Sequence, residues 1–363
     1  MGSAAHARAC EAITRICRGE ADARTLRLEV LDAIRRAVGF DAYAWLLTDP
    51  ETSVGSSPLA DVPCLPRLPQ LIRLKYATAV NRWTGLPSGA ASLHGATGGR
   101  LSLSLMWREL LSQYQVTDIA SSVYRDRFGC WGFLDLWRTG APAFTAADIE
   151  FLGHIAGPVT AALRHGLART FVPATGAGQL PAGPVVLLLS AALEVRAQTP
   201  QTQRYLQVLV PPEAEDQAPV PAGAYNVAAQ LLAAEAGVDD NPPVARVHLA
   251  GGRWLTLRAA RMGTNPATPA NPTTPAAAAA EPDVAVSIEP STAGDRVTVF
   301  ARACGLTPRE AELVQHLAGG ATTREVARQM FVSENTVQDH LKSIFDKSTA
   351  RSRRALLARA LGT

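Results

Sequence analysis

The sequence predicts a multidomain protein in which two α+β domains are followed by an all-α domain of four helices. The chain has 363 residues. Because domains typically contain about 100–200 residues, this length predicts more than one domain. Apolar residues make up 47% of it and charged residues 18%, as in globular proteins. Strand-like runs alternate with helical periodicity in the first two domains, whereas residues 305–363 show helical periodicity alone.

The first domain is predicted over residues 1–168. Helical spacing of apolar residues over 26–38 leads into a strand-like run at 43–47, and two later strand-like runs flank a turn at residues 126–129. Thr145, with Asp148 three residues further on, predicts the capped start of a long helix. The apolar positions of that helix fall on one stripe: Ile149, Leu152, Ile155, Val159 and Leu163.

A Gly- and Pro-rich linker over 169–183 is predicted to lead into a second α+β domain over 184–290. Its apolar runs predict two strands, helices and then three strands, the last at 284–288. Residues 263–282, rich in Pro, Ala and Thr, are expected to be a disordered insertion within this domain, because residues 284–288 would otherwise be an orphan strand. In the strand at 253–261, we expect Leu255, Leu257 and Ala259 to face the core.

Neither a membrane span nor a cofactor is expected. The sequence contains no apolar run of about 18 residues, and its start lacks the apolar stretch of a signal peptide, so we expect a cytoplasmic protein. The five cysteines are scattered, without a paired motif or a histidine at metal-ligand spacing. We therefore predict reduced structural thiols and no metal site.

A linker over 291–304 is predicted to precede the third domain, residues 305–363, in which each helix starts at a recognisable cap. Thr307, Thr322, Ser333 and Ser352 precede four helical patterns. Residues 301–363 carry ten Lys and Arg against six Asp and Glu, a net charge of +4, while the rest of the chain carries −1. A positive terminal module is the electrostatic footprint of a nucleic-acid binder.

Two of these helices, joined by a short turn, predict a helix-turn-helix whose second helix enters the major groove of DNA. Four polar residues on that helix lie off its apolar stripe and are candidates for contacts with bases or phosphates: Asn335, Gln338, Asp339 and Lys342. Four more are expected at backbone phosphates: Thr323, Arg324, Lys347 and Arg351. Each of these residues could instead be an ordinary solvated position.

The motifs Leu306-Thr-Pro-Arg-Glu, Ser333-Glu-Asn-Thr-Val and His340-Leu-Lys resemble those of the LuxR-type regulator domain over residues 305–361. The resemblance implies double-stranded DNA, RNA polymerase and a second copy of the chain as partners, with pairing through residues 353–361. It places the groove-facing positions at Thr336, Gln338, Asp339 and Lys342. Gln338 and Asp339 depart from the basic residue common there, which favours base recognition over general phosphate affinity.

The two preceding domains resemble known sensor folds. The closing hairpin and long exit helix of residues 1–168 are similar to a GAF domain, and the strand order of residues 184–290 is similar to a PAS domain. The GAF resemblance implies a pocket for a small, unidentified effector on one face of the sheet. Trp107, Trp131 and Trp137 are candidate pocket residues, although large aromatic side chains are more often plain core.

Other classes of protein fit the sequence less well. It has no P-loop, zinc-ligand cluster or nucleophile elbow, so we do not predict an enzyme. A phosphoacceptor receiver would need a parallel sheet with an acidic cluster after its first strand, which is not found. The remaining alternative uses the helix-turn-helix as a sigma-factor-like or protein-interaction module, and DNA binding without RNA polymerase would distinguish the two.

Overall fold

The computed structural model describes residues 2–86, 89–172, 183–209, 221–249, 252–263 and 282–362. The first domain begins with helices α1 (Gly2–Cys17) and α2 (Ala23–Ala37). The remaining elements follow in chain order: β1 (Ala42–Thr48), β2 (Gly55–Asp61), α3 (Leu68–Ala77), β3 (Gly89–Ser92), α4 (Leu93–Ala96), α5 (Leu105–Glu109), β4 (Val116–Asp126), β5 (Gly129–Thr139) and α6 (Ala146–Arg169). Single 3-10 turns lie at Leu65–Arg67, Leu101–Leu103 and Leu111–Tyr114.

The five strands of this domain form one antiparallel sheet in the order β2-β1-β5-β4-β3. Helices α1, α2 and α6 cover one face, and α3 to α5 cover the other. Two predictions are confirmed here. The turn at residues 126–129 joins β4 to β5, and Thr145 and Asp148 form the capping box that starts α6.

The second domain contains β6 (Val186–Leu189), β7 (Val195–Gln198), α7 (Thr202–Leu209), α8 (Ala222–Glu235), β8 (Val244–Leu249), β9 (Arg253–Arg261) and β10 (Val284–Pro290). Its sheet has the order β7-β6-β10-β9-β8 and is antiparallel throughout. Both sheets thus share one order: second, first, fifth, fourth and third strand. Helix α8 packs against β9 and also against α3 and β2, so the two domains share an apolar core.

Strand β10 pairs with both β6 and β9, which confirms that residues 284–288 belong to this sheet. Leu255, Leu257 and Ala259 are buried in the shared core, as predicted. Of the expected insertion 263–282, residues 264–281 lie outside the described residues, and a hydrogen bond from Met262 N–H to the Asp283 carbonyl (2.8 Å) joins the strands that flank them. Of the expected linker 169–183, residues 173–182 also lie outside the described residues.

The linker predicted over 291–304 is corrected by the structure, which has helix α9 (Ala293–Ala303) there. A capping box between Thr292 and Asp295 starts this helix, and Val297 and Phe300 are buried. The capping box is a local signal in the sequence, but the apolar residues of this helix find their packing partners only in distant parts of the chain. Helices α10 (Pro308–Ala318), α11 (Thr323–Gln329), α12 (Glu334–Ser348) and α13 (Arg353–Leu361) complete the all-α domain.

Hydrogen bonds and ion pairs of charged side chains connect the first domain, the second domain and helix α9 to each other. Arg246 on β8 binds the buried carboxylate of Asp49 through Nε (2.7 Å) and Nη2 (2.8 Å). Arg246 also binds Glu51 (2.7 Å), whose other oxygen lies 3.3 Å from Arg302 on α9. Arg302 donates further to the Phe128 carbonyl in the β4–β5 turn (2.9 Å). In the part of the chain that the structure describes, no helix is long and apolar enough to cross a bilayer.

Candidate nucleic-acid interface

Helices α11 and α12 form the predicted helix-turn-helix, with caps that fix where each helix begins. The Thr322 hydroxyl accepts from the Glu325 N–H, and the Glu325 carboxylate accepts from the Thr322 N–H (2.7 Å). Ser333 caps α12 by accepting from the Thr336 N–H (3.1 Å). The turn between the helices passes through Phe331, whose φ of 57° lies in the left-handed region.

The inner face of α12 is apolar and buried. Val337, Leu341 and Ile344 are at most 5% exposed and belong to the same core cluster as Leu313 of α10 and Val326 of α11. Because residues three and four apart share one face of a helix, burial of this stripe turns the opposite side of α12 to solvent.

The solvent side of α12 carries four of the predicted site residues. Asn335, Gln338, Asp339 and Lys342 are all exposed. Within the described residues, the side chains of Gln338, Asp339 and Lys342 make no hydrogen bond or ion pair, so their polar groups are available to a ligand. Thr336 is half-buried, and its hydroxyl lies 2.9 Å from the hydroxyl of Ser333. The Thr336 hydroxyl is therefore engaged in the cap of α12.

The predicted phosphate-contacting residues divide into two groups. Arg324 and Arg351 are exposed and form no ion pair within the described ranges, while Thr323 at the start of α11 is half-buried. Lys347, in contrast, lies 2.7 Å from Oε2 and 2.8 Å from Oε1 of Glu310 on α10. Its ammonium group already has a buried counter-ion, so the structure assigns Lys347 to the packing of α12 against α10.

Glu310 is the centre of this packing contact and is 3% exposed. It also accepts from the Thr307 N–H (2.7 Å) and the Ser343 hydroxyl (2.6 Å). Burial raises the pKa of the carboxyl, but hydrogen bonds from Lys347, Ser343 and Thr307 outweigh this effect and lower the pKa to about 2. The carboxylate is therefore ionised at neutral pH and fixes the angle between α10 and α12.

Phe331 is a surface feature that the sequence analysis missed. Its side chain is 94% exposed, whereas the preceding Met330 is 2% exposed. In a sequence, an apolar residue between Met330 and Val332 indicates a core position. In the structure, the left-handed backbone at Phe331 turns the side chain away from the helices on either side.

Helix α13, the predicted pairing helix, is held by the rest of the chain. Arg359 donates from Nε to the Phe171 carbonyl (3.0 Å) and from Nη2 to the Ala168 carbonyl (3.3 Å), both at the end of α6. Arg296 on α9 donates to the carbonyls of Arg359 (3.2 Å) and Ala360 (3.3 Å). The last helix is thus joined to the first domain as well as to α9.

The three candidate effector-pocket tryptophans do not share a pocket. Trp137 is buried in the core between the sheet and α3 to α5, where the half-buried Trp107 packs against the same cluster. Trp131 lies in the core on the opposite face of the sheet and lines a cavity of about 450 Å³ that has neither Trp107 nor Trp137 in its wall. An irregularity in the β4–β5 pairing near Gly132 accounts for the difference, because strict alternation would place Trp131 and Trp137 on one face.

The fold and the exposed face of α12 define a helix-turn-helix domain of the DNA-binding kind. Residues 305–360 match the model of the family described as bacterial regulatory proteins, luxR family. The third domain is therefore a LuxR-type helix-turn-helix domain.

Curated relatives are similar to this chain over short stretches. The CsgBAC operon transcriptional regulatory protein of Escherichia coli (strain K12) is 46% identical over 48 residues, which is 13% of this chain and 22% of the relative. A Streptomyces halstedii protein named "Probable HTH-type transcriptional regulator GfsR" is 40% identical over 86 residues, 24% of this chain and 33% of the relative. The chain thus spans about a fifth to a third of the length of these relatives.

Proposed function

We propose that this chain is a cytoplasmic, sequence-specific DNA-binding transcriptional regulator of the LuxR family. The observation that carries the proposal is the solvent face of α12, where Gln338 and Lys342 stand one turn apart with unengaged polar groups. A glutamine side chain pairs with adenine N6 and N7, and a lysine reads guanine or binds a phosphate. The relatives are named as transcriptional regulators, which supports the same function.

In the proposed complex, α12 lies in the major groove, and other residues set its register. Arg324, Arg351 and Thr323 at the edges of the module contact phosphates, which position the protein without reading sequence. Asn335, Thr336 and Asp339 complete the groove-facing surface. Lys347 remains in the proposed set of phosphate contacts, because its side chain is 34% exposed although it pairs with Glu310.

The proposal includes a homodimer that pairs through α13, because one small helix-turn-helix reads too few base pairs for specificity. It also includes modulation by a small effector bound in the N-terminal region, which shifts the population of DNA-competent protein. Both sheets have the same spatial strand order (second, first, fifth, fourth, third) and a helix after the second strand, which supports a GAF-like first domain and a PAS-like second domain.

Phe331 supports a protein contact on the same module. Phe331 is 94% exposed in the turn before α12, and aromatic residues are enriched at protein–protein interfaces. RNA polymerase is the partner we propose for it. Phe331→Ser is expected to preserve DNA affinity while lowering transcription by purified RNA polymerase. Loss of DNA affinity in this variant would instead make Phe331 part of the DNA interface.

Enrichment of fragments from a genomic DNA library by the purified protein tests the proposed function. The wild type is expected to enrich a two-fold-symmetric site, and a Gln338→Ala, Lys342→Ala double variant is expected to lose that enrichment. Arg309→Ala, which removes an exposed cation on α10, is the matched control and should enrich the same site. Equal enrichment by the double variant and the wild type would reject reading by α12, and no enrichment by any of them would favour a protein-interaction module.

A further inference from the structure

A cavity of about 450 Å³ lies between the first and second domains. Its walls come from the start of α2, strands β1 and β2, the end of α6, and the strands β8 and β9 of the second domain. Trp131, Leu163 and Trp254 give it an apolar interior. The volume falls within the range of about 300–1,000 Å³ typical of small-molecule sites. It lies on the sheet face opposite the core that contains Trp107 and Trp137.

Arg27 lines this cavity with a buried charge that lacks a carboxylate partner. It is 4% exposed, and it donates from Nε to the Ala23 carbonyl (2.9 Å) and from Nη1 to the carbonyls of Trp45 (3.0 Å) and Ser57 (2.8 Å). Across the described ranges, neither a carboxylate within ion-pair distance nor a hydrogen-bond partner for Nη2 is found. Burial, with the charge of Arg24, lowers the pKa of Arg27 to about 10, while Asp22, which lies beyond ion-pair distance, acts in the opposite direction.

The contrast with Arg246 shows what Arg27 lacks. Arg246 lines the same cavity at a similar burial, but Asp49 and Glu51 neutralise it. A buried cation without a counter-ion is costly, because the charge loses hydration and gains no opposite charge. An anionic ligand in the cavity would supply the missing partner of Arg27.

Two ring nitrogens in the cavity wall are also unpaired. Among the described residues, His248 Nε2 and Trp254 Nε1 are buried without a hydrogen-bond partner. Burial, together with the nearby charge of Arg296, lowers the pKa of His248 to about 4, so its ring is neutral at physiological pH. Buried polar atoms almost always have partners, and a polar ligand that shifts the rings of His248 and Trp254 would bring these two nitrogens into contact with it.

The remaining charges at the cavity favour an anion. Arg24 and Arg169 are exposed lining residues, and the acidic lining residues are Glu20 and Asp22. The carboxylate of Asp22 already caps α2 by accepting from the Arg24 and Thr25 N–H groups. Asp22 keeps its charge in this cap, but with Arg246 already paired the lining still has three cations (Arg24, Arg27 and Arg169) against two acids.

We propose that this cavity binds a small organic carboxylate with a flat apolar body, its carboxylate on Arg27 and its apolar body against Trp131 and Trp254. This inference rests on the proposed function in one respect: it gives the binding site and the chemical class of the effector proposed there. Binding itself is measured without DNA.

Packed aromatic side chains connect the wall of this cavity to the all-α domain. Trp254 stacks on Phe171 with ring centroids 4.8 Å apart, and Phe171 meets Phe300 of α9 edge-on at 5.3 Å. Arg296 lies over the Phe171 ring and holds the carbonyls of α13. A ligand that moves Trp254 therefore acts on the contacts that fix the last helix.

Calorimetric titration of the full chain with 2-naphthoate and with its uncharged counterpart 2-naphthamide tests the site. The wild type is expected to bind the carboxylate about tenfold more tightly than the amide, as one well-placed charged hydrogen bond allows. Arg27→Met is expected to bind both compounds equally. A carboxylate bound no more tightly than the amide by the wild type would overturn the proposal.

A pair of glycine variants keeps the test independent of Arg27, whose replacement could harm folding. Gly166 lines the cavity and Gly157 does not, both lie in α6, and an added Cβ at either meets no atom within 4 Å. Gly166→Leu is expected to weaken naphthoate binding about tenfold by filling space, while Gly157→Leu leaves it unchanged. Equal affinity in the two variants would overturn the site. Naphthoate binding by a protein that enriches no DNA would instead reject the proposed function alone.

Discussion

Lys347 Nζ lies 2.7 Å from Oε2 of Glu310, which ties the end of the recognition helix α12 to the start of α10. The glutamate is 3% exposed and also completes the capping box of α10 with Thr307. One buried carboxylate thus serves helix capping and interhelical packing together. The orientation of the exposed Gln338 and Lys342 depends on it, because α12 is oriented by the helices it packs against.

The depressed pKa of Glu310 predicts an acid-sensitive domain. An unfolded glutamate titrates near pH 4.5, and the folded value is about 2, so the stabilisation is present above the unfolded value and is lost as the pH falls toward 2. The loss amounts to about 2 kcal/mol between about pH 5 and pH 3. Glu310→Gln should lose this part of the pH dependence, as measured by denaturant unfolding followed through the helical signal.

Glu312, two residues further along α10, provides the control, because its carboxylate is partly open to solvent. Glu312→Gln should retain the pH dependence of the wild type, because Glu312 pairs at the surface with Arg309. If Glu310→Gln and the wild type lost stability in parallel between these pH values, the assignment of the low pKa to Glu310 would be wrong.

The ion pair between Asp49 and Arg246 is expected to control the docking of the first two domains. Asp49 is fully buried and Arg246 is 6% exposed. Arg246 keeps Glu51 as a counter-ion if Asp49 is removed, whereas removing Arg246 leaves the buried Asp49 carboxylate without a cation among the described residues. Arg246→Met should lower the free energy of unfolding by about 3–5 kcal/mol, measured by urea denaturation. Arg309→Ala breaks a surface pair and should cost less than about 1 kcal/mol. Similar losses in both variants would contradict the structural role of the buried pair.

The contacts of Arg359 predict competition between intramolecular docking and pairing through α13. Its Nε and Nη2 bind carbonyls at the end of α6 and just after it, so Arg359→Ala removes charged hydrogen bonds that hold α13 against the first domain. The variant also removes the hydrogen bonds from Nη1 to Ser348 and Thr349 at the end of α12. Dimerisation should strengthen by about tenfold, measured by sedimentation velocity across a concentration series. Arg354→Ala, on an exposed position of the same helix, should leave it unchanged. Weaker dimerisation of Arg359→Ala would show that this arginine supports pairing.

Much of the local structure was predictable because its signals are local. The capping boxes at Thr145, Thr307 and Thr322 and the turn at residues 126–129 depend on residues within a few positions of each other, and all appear in the structure. The place of β10 followed from sheet pairing, since a strand at 284–288 needed partners. Helix α9 was missed because its stability comes from burying Phe300 against distant elements.

The candidate sites also combine features that local sequence patterns predict with features that depend on long-range packing. The exposed positions of α12 followed from the periodicity of its apolar stripe. The engagement of Lys347 was not predictable, because Glu310 lies 37 positions earlier in the chain. The cavity was likewise hidden, since Arg27, His248 and Trp254 come from two domains and meet only through tertiary packing. Burial without a partner, the property that marks Arg27, has no signature in a sequence.

The salt dependence of affinity for the enriched DNA site tests the central claim most directly. Fluorescence anisotropy of the labelled site would be recorded over a range of salt for the wild type, Lys342→Ala and Arg309→Ala. Each phosphate contact contributes close to one unit to the log–log slope, so Lys342→Ala should either reduce the slope by about 1 or relax preference at one base pair. Arg309→Ala should match the wild type in both respects. A Lys342→Ala variant with the slope, affinity and base preference of the wild type would contradict DNA recognition by α12.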